Sequence, residues 1–274
     1  MGAGGLQWWC SAQGVPWTWE WRPYPGVWLF VLALAAVYVF GVRWTAAGRG
    51  GFGAAGLLVL WAALDWPIGA LGGGYLASVH MLQFLLIALV APVLLLLGVP
   101  AAAWRRLAEW RGLPALRLLT HPLVTLAAFQ AVVIWTHLPA VVDTWMATQA
   151  GSFALDAAWL VGGLVFWWPV VAPVPERRRF PAPLKMAYLF LATVLNTMPY
   201  AFLTFGETPY YGIYELAPPV AGIPARQDQQ VAGLLMKVGG GAILWTAITV
   251  VWFRWYRRDD AAGDRPAAPP LAAG

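Results

Sequence analysis

Charge is the scarcest commodity in this sequence. Asp, Glu, Lys and Arg make up only 11% of its 274 residues, under half of the roughly 25% that a soluble domain carries. With 61% hydrophobic residues and a mean hydropathy of +0.65, a water-soluble fold is excluded. Cysteine is nearly absent. Cys10 stands alone, so neither an internal disulfide nor a cysteine-based metal site can form. Leu6, Gln7, Trp8 and Trp9 before it lack the apolar run of a lipoprotein signal, and no cleavable signal is expected. Gly-rich phosphate loops are missing, as are internal repeats, which argues against an inverted-repeat transporter.

What is abundant suits lipid. Together, 29 Gly, 22 Pro and 19 Trp supply close helix contacts, breaks and interfacial anchors. The net charge of +5 then reads as cations beside anionic headgroups, with the bilayer and not nucleic acid as partner. Apolar runs fall near 25–42, 52–68, 76–98, 122–139, 155–174, 184–204 and 231–253, most of them close to the roughly 17–25 residues needed to cross a bilayer. The fold class expected is therefore all-α, a polytopic helical bundle of about seven transmembrane helices. Residues 1–24 form a Trp-rich segment outside the bilayer, 25–256 the membrane domain and 257–274 a disordered cytoplasmic tail.

Orientation comes from the cations, which cytoplasmic loops retain. One side collects Arg43, Arg49, Arg105, Arg106, Arg111, Arg117, Arg177, Arg178, Arg179, Lys185, Arg254, Arg257, Arg258 and Arg265; the other has only Arg22, Arg226 and Lys237. The N-terminus is thus expected outside and the C-terminus inside. The run Glu176 to Arg179 is a topology signal. Trp8, Trp9, Trp17, Trp19 and Trp21 read as an aromatic stretch lying at the interface.

Polar groups inside spans are costly, so each needs a reason. They share a depth, the outer third. His80 and Gln83 lie three residues apart on one helix face, with Met81 turned about 100° away. Two readings of His80 stand side by side: a metal or proton site, and an interhelical hydrogen bond. His137, two residues before Pro139, reads as a solvated interfacial imidazole, and Asp156 as a cap of its helix. Asn196, Lys237, and Asp228 with Gln229 complete the outer set. Met81, Met146, Met198 and Met236 also lie outward. Thioethers with imidazole select Cu(I), although methionine is also ordinary filler. A metal site would draw on His80, Asp156, Met81 and Met236, with Gln83, His137, Asp228, Gln229 and Lys237 as further functional residues.

From His80-Met81-Leu82-Gln83 through Ala91-Pro92 to Leu97-Gly98-Val99-Pro100, the chain resembles the CtaG family of cytochrome c oxidase assembly factors associated with caa-type oxidases. Trp19 to Val42, with Pro25 and Tyr38, resembles the family's first span. Phe166-Trp167-Trp168-Pro169 resembles its fifth, and Asp228-Gln229-Gln230 to Met236 the entry to its last. The resemblance implies a non-enzymatic protein of the bacterial inner membrane whose partners are oxidase subunits and whose chemistry is copper handling. It also implies imidazoles at positions that here hold Phe84, Ser152 and Asp156.

Other classes fit less well. A retinal protein is suggested by Lys237, but helix 3 offers no counter-ion. A transporter with an outward-facing polar cavity is the alternative, with His80, Gln83, Asp156 and Lys237 as lining; a continuous pore would need polar groups in the inner half. Ser152 with His137 is the one nucleophile and base pairing in reach, without a motif around it.

Overall fold

The computed structural model describes residues 6–41, 50–109, 118–172 and 180–263. Arg43, Arg49, Arg111, Arg117, the run from Glu176 to Arg179, and Arg265 lie outside the described residues, as does the tail beyond 263. The described part of each of the seven apolar runs is mostly helix, and no strand occurs among the described residues. In hydrocarbon a backbone must satisfy its own N–H and C=O groups, which leaves an apolar run little alternative. Proline then marks where helices start: Pro25, Pro122 and Pro139 each occupy a first turn, where the missing N–H costs nothing.

In chain order the elements are α1 (Pro25–Gly41), α2 (Gly50–Leu64), α3 (Ile68–Gly74), α4 (Ala77–Gly98), α5 (Ala101–Ala108), α6 (Pro122–Thr136), α7 (Pro139–Trp145), α8 (Gln149–Val171), α9 (Ala182–Phe205), α10 (Gly212–Glu215) and α11 (Ala225–Arg258). Four of these, α4, α8, α9 and α11, are long and apolar enough to cross a membrane unaided. Two bent pairs raise the number to six if each is one span: α2 with α3, bent by 45°, and α6 with α7, bent by 69°. The breaks fall before Pro67 and Pro139, whose rings cannot continue the preceding helix. The apolar α1 is shorter. This is a helical membrane protein.

α4 is the hub. In its apolar window 67% of residues are buried, against 24% in α9 and 17% in α11, so those two turn most of their surface outward. Side chains such as Leu29, Leu58, Phe190 and Trp245 are exposed on the outside of the bundle, as a lipid-facing surface requires. α2 lies along the second half of α4, α8 packs against α4 and α6, α9 against α11, and the start of α11 against the start of α4.

The α4–α8 contact shows how sequence sets spacing. Pro92 has no N–H to offer Ala88 one turn earlier, and α4 takes a π-helical turn over Leu85–Val90. α8 meets that turn with Gly163, where a Cβ would lie 2.1 Å from the Ala88 carbonyl oxygen and 2.7 Å from Pro92. Only hydrogen fits there. A second π-helical turn in α11, Leu235–Gly239, adjoins the first: a Cβ on Gly239 would lie 2.7 Å from Leu85.

Gly163→Ala should therefore force α8 off α4 and destabilise the fold by about 1–3 kcal/mol. Gly241→Ala, with open space around the added methyl, should be neutral or stabilising by about 0.5–1 kcal/mol. Unfolding midpoints of the two purified variants check both signs.

Candidate functional site

The polar residues gather at the end of the bundle covered by residues 6–24, a strap that crosses the helix ends. Trp9 and Cys10 are 1% exposed. The strap is anchored by Gln149, whose side-chain oxygen accepts from the backbone N–H of Trp8 (2.7 Å) and Trp9 (3.1 Å). The Trp9 indole N–H then donates to Asp156 at 2.8 Å, and the Cys10 thiol donates to the Leu64 carbonyl at 3.3 Å. The helix α3 can lie this close because Gly69, Gly73 and Gly74 face the strap: a Cβ on Gly74 would meet Ala12 at 2.5 Å. Of the expected interfacial aromatics, only Trp19 and Trp21 are strongly exposed; Trp9 is a core residue.

Asp156 does not cap α8. The helix begins seven residues earlier, at Gln149, and the Thr148 hydroxyl performs the capping by accepting from Gly151 N–H at 3.1 Å. That puts Asp156 two turns inside, 5% exposed, and one helical turn from Trp159 on the same face. Trp159 is the centre of the site. Its ring lies 4.9 Å from His80, 5.3 Å from Phe84 and 6.4 Å from His137, centroid to centroid, and its N–H donates to Thr136 at 3.0 Å. Tyr214 closes another side, 5.8 Å from His80, with its hydroxyl donating to the Gly72 carbonyl at 2.6 Å. It is held there by Asp143 of α7, which accepts from the N–H groups of Gly212 and Ile213.

Inside this aromatic box sit two imidazoles. His80 is 1% exposed, and neither ring nitrogen has a hydrogen-bond partner. His137 is buried too, not solvated, because α7 turns back after the break and Tyr211 donates its hydroxyl to the His137 carbonyl at 3.1 Å. Its Nδ1 lies 2.7 Å from the Val133 carbonyl, a bond it can make only as donor, which leaves the Nε2 lone pair free; Nε2 is buried without a partner. A histidine fixed through one N–H with the other nitrogen bare is the arrangement that metal-binding imidazoles use. Phe84, one of the positions where the resemblance implies histidine, packs edge-on to His137 at 5.0 Å.

The bare nitrogens of His80 and His137 are the donors this region offers a metal. Among the described residues no three His, Cys, Asp or Glu side chains gather closely enough to hold a metal, and the Asp156 carboxylate already accepts from Trp9. Met81 and Met236 are both buried in the core. The side chain of Met198 is outside the described set.

Two expected site residues have structural duties. Asp228 caps the central helix from outside it: its carboxylate accepts from the Ala77 N–H at 2.6 Å, from the Ser78 N–H and from the Ser78 hydroxyl. Gln229 ties the loop before α10, accepting from Tyr210 N–H at 2.6 Å and donating to Thr208 and Leu203 carbonyls. Lys237 follows the inward-facing Met236 by about 100° and is exposed, its ammonium 4.7 Å from the Tyr200 ring centre. Gln83 points at α3, where a Cβ on Gly72 would lie 2.6 Å from its side-chain oxygen. Ser152 places its hydroxyl against the Met146 sulfur, 3.9 Å away. Trp159 could have been found in the sequence from its spacing to Asp156. Trp9 and Tyr214 carry no local signal.

The profile of the family described as cytochrome c oxidase caa3 assembly factor (Caa3_CtaG) matches residues 43–258. An uncharacterised protein of Mycobacterium bovis and one of Mycobacterium tuberculosis are each 26% identical over 256 residues, 80% of this chain and 37% of theirs. The chain thus spans little more than a third of the length of these curated relatives. No solved structure matches it.

If the strap is anchored by Trp9 on Asp156, the variants Trp9→Phe and Asp156→Asn should each destabilise, and the double variant by less than the sum. A double-mutant cycle should return a coupling of about 1–3 kcal/mol. Burial raises the Cys10 thiol well above its ordinary pKa, and the Asp156 and Asp65 carboxylates add to the effect. The reactive thiolate is thereby suppressed in the folded state. Maleimide labelling at pH 8 should be slow for folded protein and quick once it is denatured, and the gap should narrow only as pH climbs further.

Proposed function

We propose, since this chain belongs to the Caa3_CtaG family of cytochrome c oxidase caa3 assembly factors, that it assists the building of such an oxidase from within the membrane and holds copper as cargo while doing so. The family match over 43–258 carries the assembly reading. The copper reading is supported by the bare nitrogens of His80 and of His137 Nε2. A buried polar group without a partner costs about 1–3 kcal/mol, and an arriving ion would relieve that cost. His80 and His137 would be the residues that hold it, since imidazole suits copper. Their surroundings do the rest: Val133 orients His137, Trp159 and Phe84 exclude water, and Trp9 keeps Asp156 occupied. No catalytic step is assigned to the chain.

We further read the bundle as seven crossings with the N-terminus outside. Each bent pair then counts as one span, α1 supplies the seventh, and Arg254, Arg257 and Arg258 lie at the cytoplasmic end of α11. His80 is then near the extracytoplasmic surface of a bacterial cell membrane, and the partners are subunits of the oxidase. The transporter alternative gains nothing from the family match.

Deleting the gene should lower oxidase activity, and added copper should restore part of it. Unchanged oxidase content would sink the assembly reading, and a loss that copper leaves untouched would leave assembly without copper. In the purified protein, His80→Ala and His137→Ala should each reduce Cu(I) binding by tenfold or more, roughly the value of one good ligand group. Asp156→Asn should leave binding unchanged. Equal binding by all four proteins would remove the two imidazoles from the site.

A further inference from the structure

At the opposite end of the bundle from His80 lies a cavity of about 1130 Å³. It is a crevice between the second half of α4, the end of α8, the start of α9 and the last part of α11, walled by side chains such as Leu97, Trp167, Phe180 and Val250. This volume is at the upper end of the roughly 300–1,000 Å³ of ordinary ligand sites. The walls are apolar, but the mouth is not. Lys185, Arg254 and Arg258 all contribute to the lining, and among the described residues no carboxylate does.

The three cations are arranged, not scattered. Arg254 and Arg258 are one helical turn apart on the same face of α11. Lys185 reaches across from α9, its ammonium donating to the Val170 carbonyl at 2.7 Å, which fixes its position and leaves two of its three N–H groups free. Among the described residues no ion pair neutralises any of the three. Trp255 also lines the crevice, an amphipathic ring of the kind that sits at headgroup depth. Trp167, in the apolar wall, has an indole N–H with no partner.

We propose that this crevice is a binding site for an anionic phospholipid, with acyl chain against the α4, α8 and α11 walls and phosphate held by Lys185, Arg254 and Arg258. The charge pattern selects this occupant. A neutral lipid would leave three cations uncompensated, and a transmembrane helix of a partner protein would have no phosphate to set against them. Basic pockets between helices recognise anionic headgroups by this combination. The lipid would also bridge the ends of α8, α9 and α11, which meet around the crevice.

The test is native mass spectrometry of the full chain titrated with phosphatidylglycerol or with phosphatidylcholine. Each cation at an anionic headgroup is worth about fivefold in affinity, so R254Q/R258Q should weaken phosphatidylglycerol binding by about 25-fold and leave phosphatidylcholine unchanged. Both arginines are exposed, so the fold should survive their loss. Ala247→Trp, which fills the crevice, should abolish the tight site with the arginines still present. Inorganic phosphate in millimolar excess should not displace the lipid. Equal affinity for the two lipids, or retention of the preference in R254Q/R258Q, would overturn the proposal. So would release by phosphate, or a crevice found occupied by a second copy of the chain, seen as a dimer that Ala247→Trp dissociates.

Discussion

The carboxylate of Asp228 at the amino end of α4 is the contact on which the arrangement of the bundle depends. Backbone N–H groups in the first turn of a helix have no partners of their own, and α4 is the most enclosed of the four helices long enough to cross a membrane. Leu76, the residue before its first turn, offers no capping side chain. Asp228, some 150 residues later in the chain, satisfies Ala77 and Ser78. That bond brings α11 against α4 at the same level as His80. The neighbouring Gln229 then holds the loop that leads to Tyr214, one wall of the box around His80. One acidic side chain thus sets the depth of the last helix and, through the loop, the shape of the site.

The rest follows from small residues facing large ones. Gly163 admits α8 to the Ala88 carbonyl, Gly98 comes up against Gly53 of α2, and the α3 glycines admit the strap. Association in lipid lacks a hydrophobic driving force between helices, so close backbone approach and buried polar bonds carry more of the work.

Much of this was legible in the sequence, for reasons that differ by element. The helices were readable because hydrocarbon leaves a backbone no other way to satisfy itself. That His80, Gln83, Asp228 and Gln229 share one end of the bundle was readable from their places in the apolar runs. Their partners were not. Asp156 looked like a cap because Gly151 and Ser152 precede it, but Thr148 offers a hydroxyl at the geometry a cap requires, and α8 starts there. His137 looked solvated because it precedes a break; the break instead folds α7 back over it. Met236 and Lys237 are neighbours in sequence and opposite in environment. Trp9 shared its surroundings in sequence with four other tryptophans, and nothing local separates the one that is buried from those that are exposed.

The strap has a consequence for the order in which the protein is made. Trp8 and Trp9 are synthesised before their partners Gln149 and Asp156, which come some 140 residues later. At a synthesis rate of about 5–20 residues per second, that interval is on the order of ten seconds. Throughout it, the most aromatic stretch of the chain has no seat. The strap therefore docks only after α8 has been made, and its docking marks a bundle in which α8 has already been inserted.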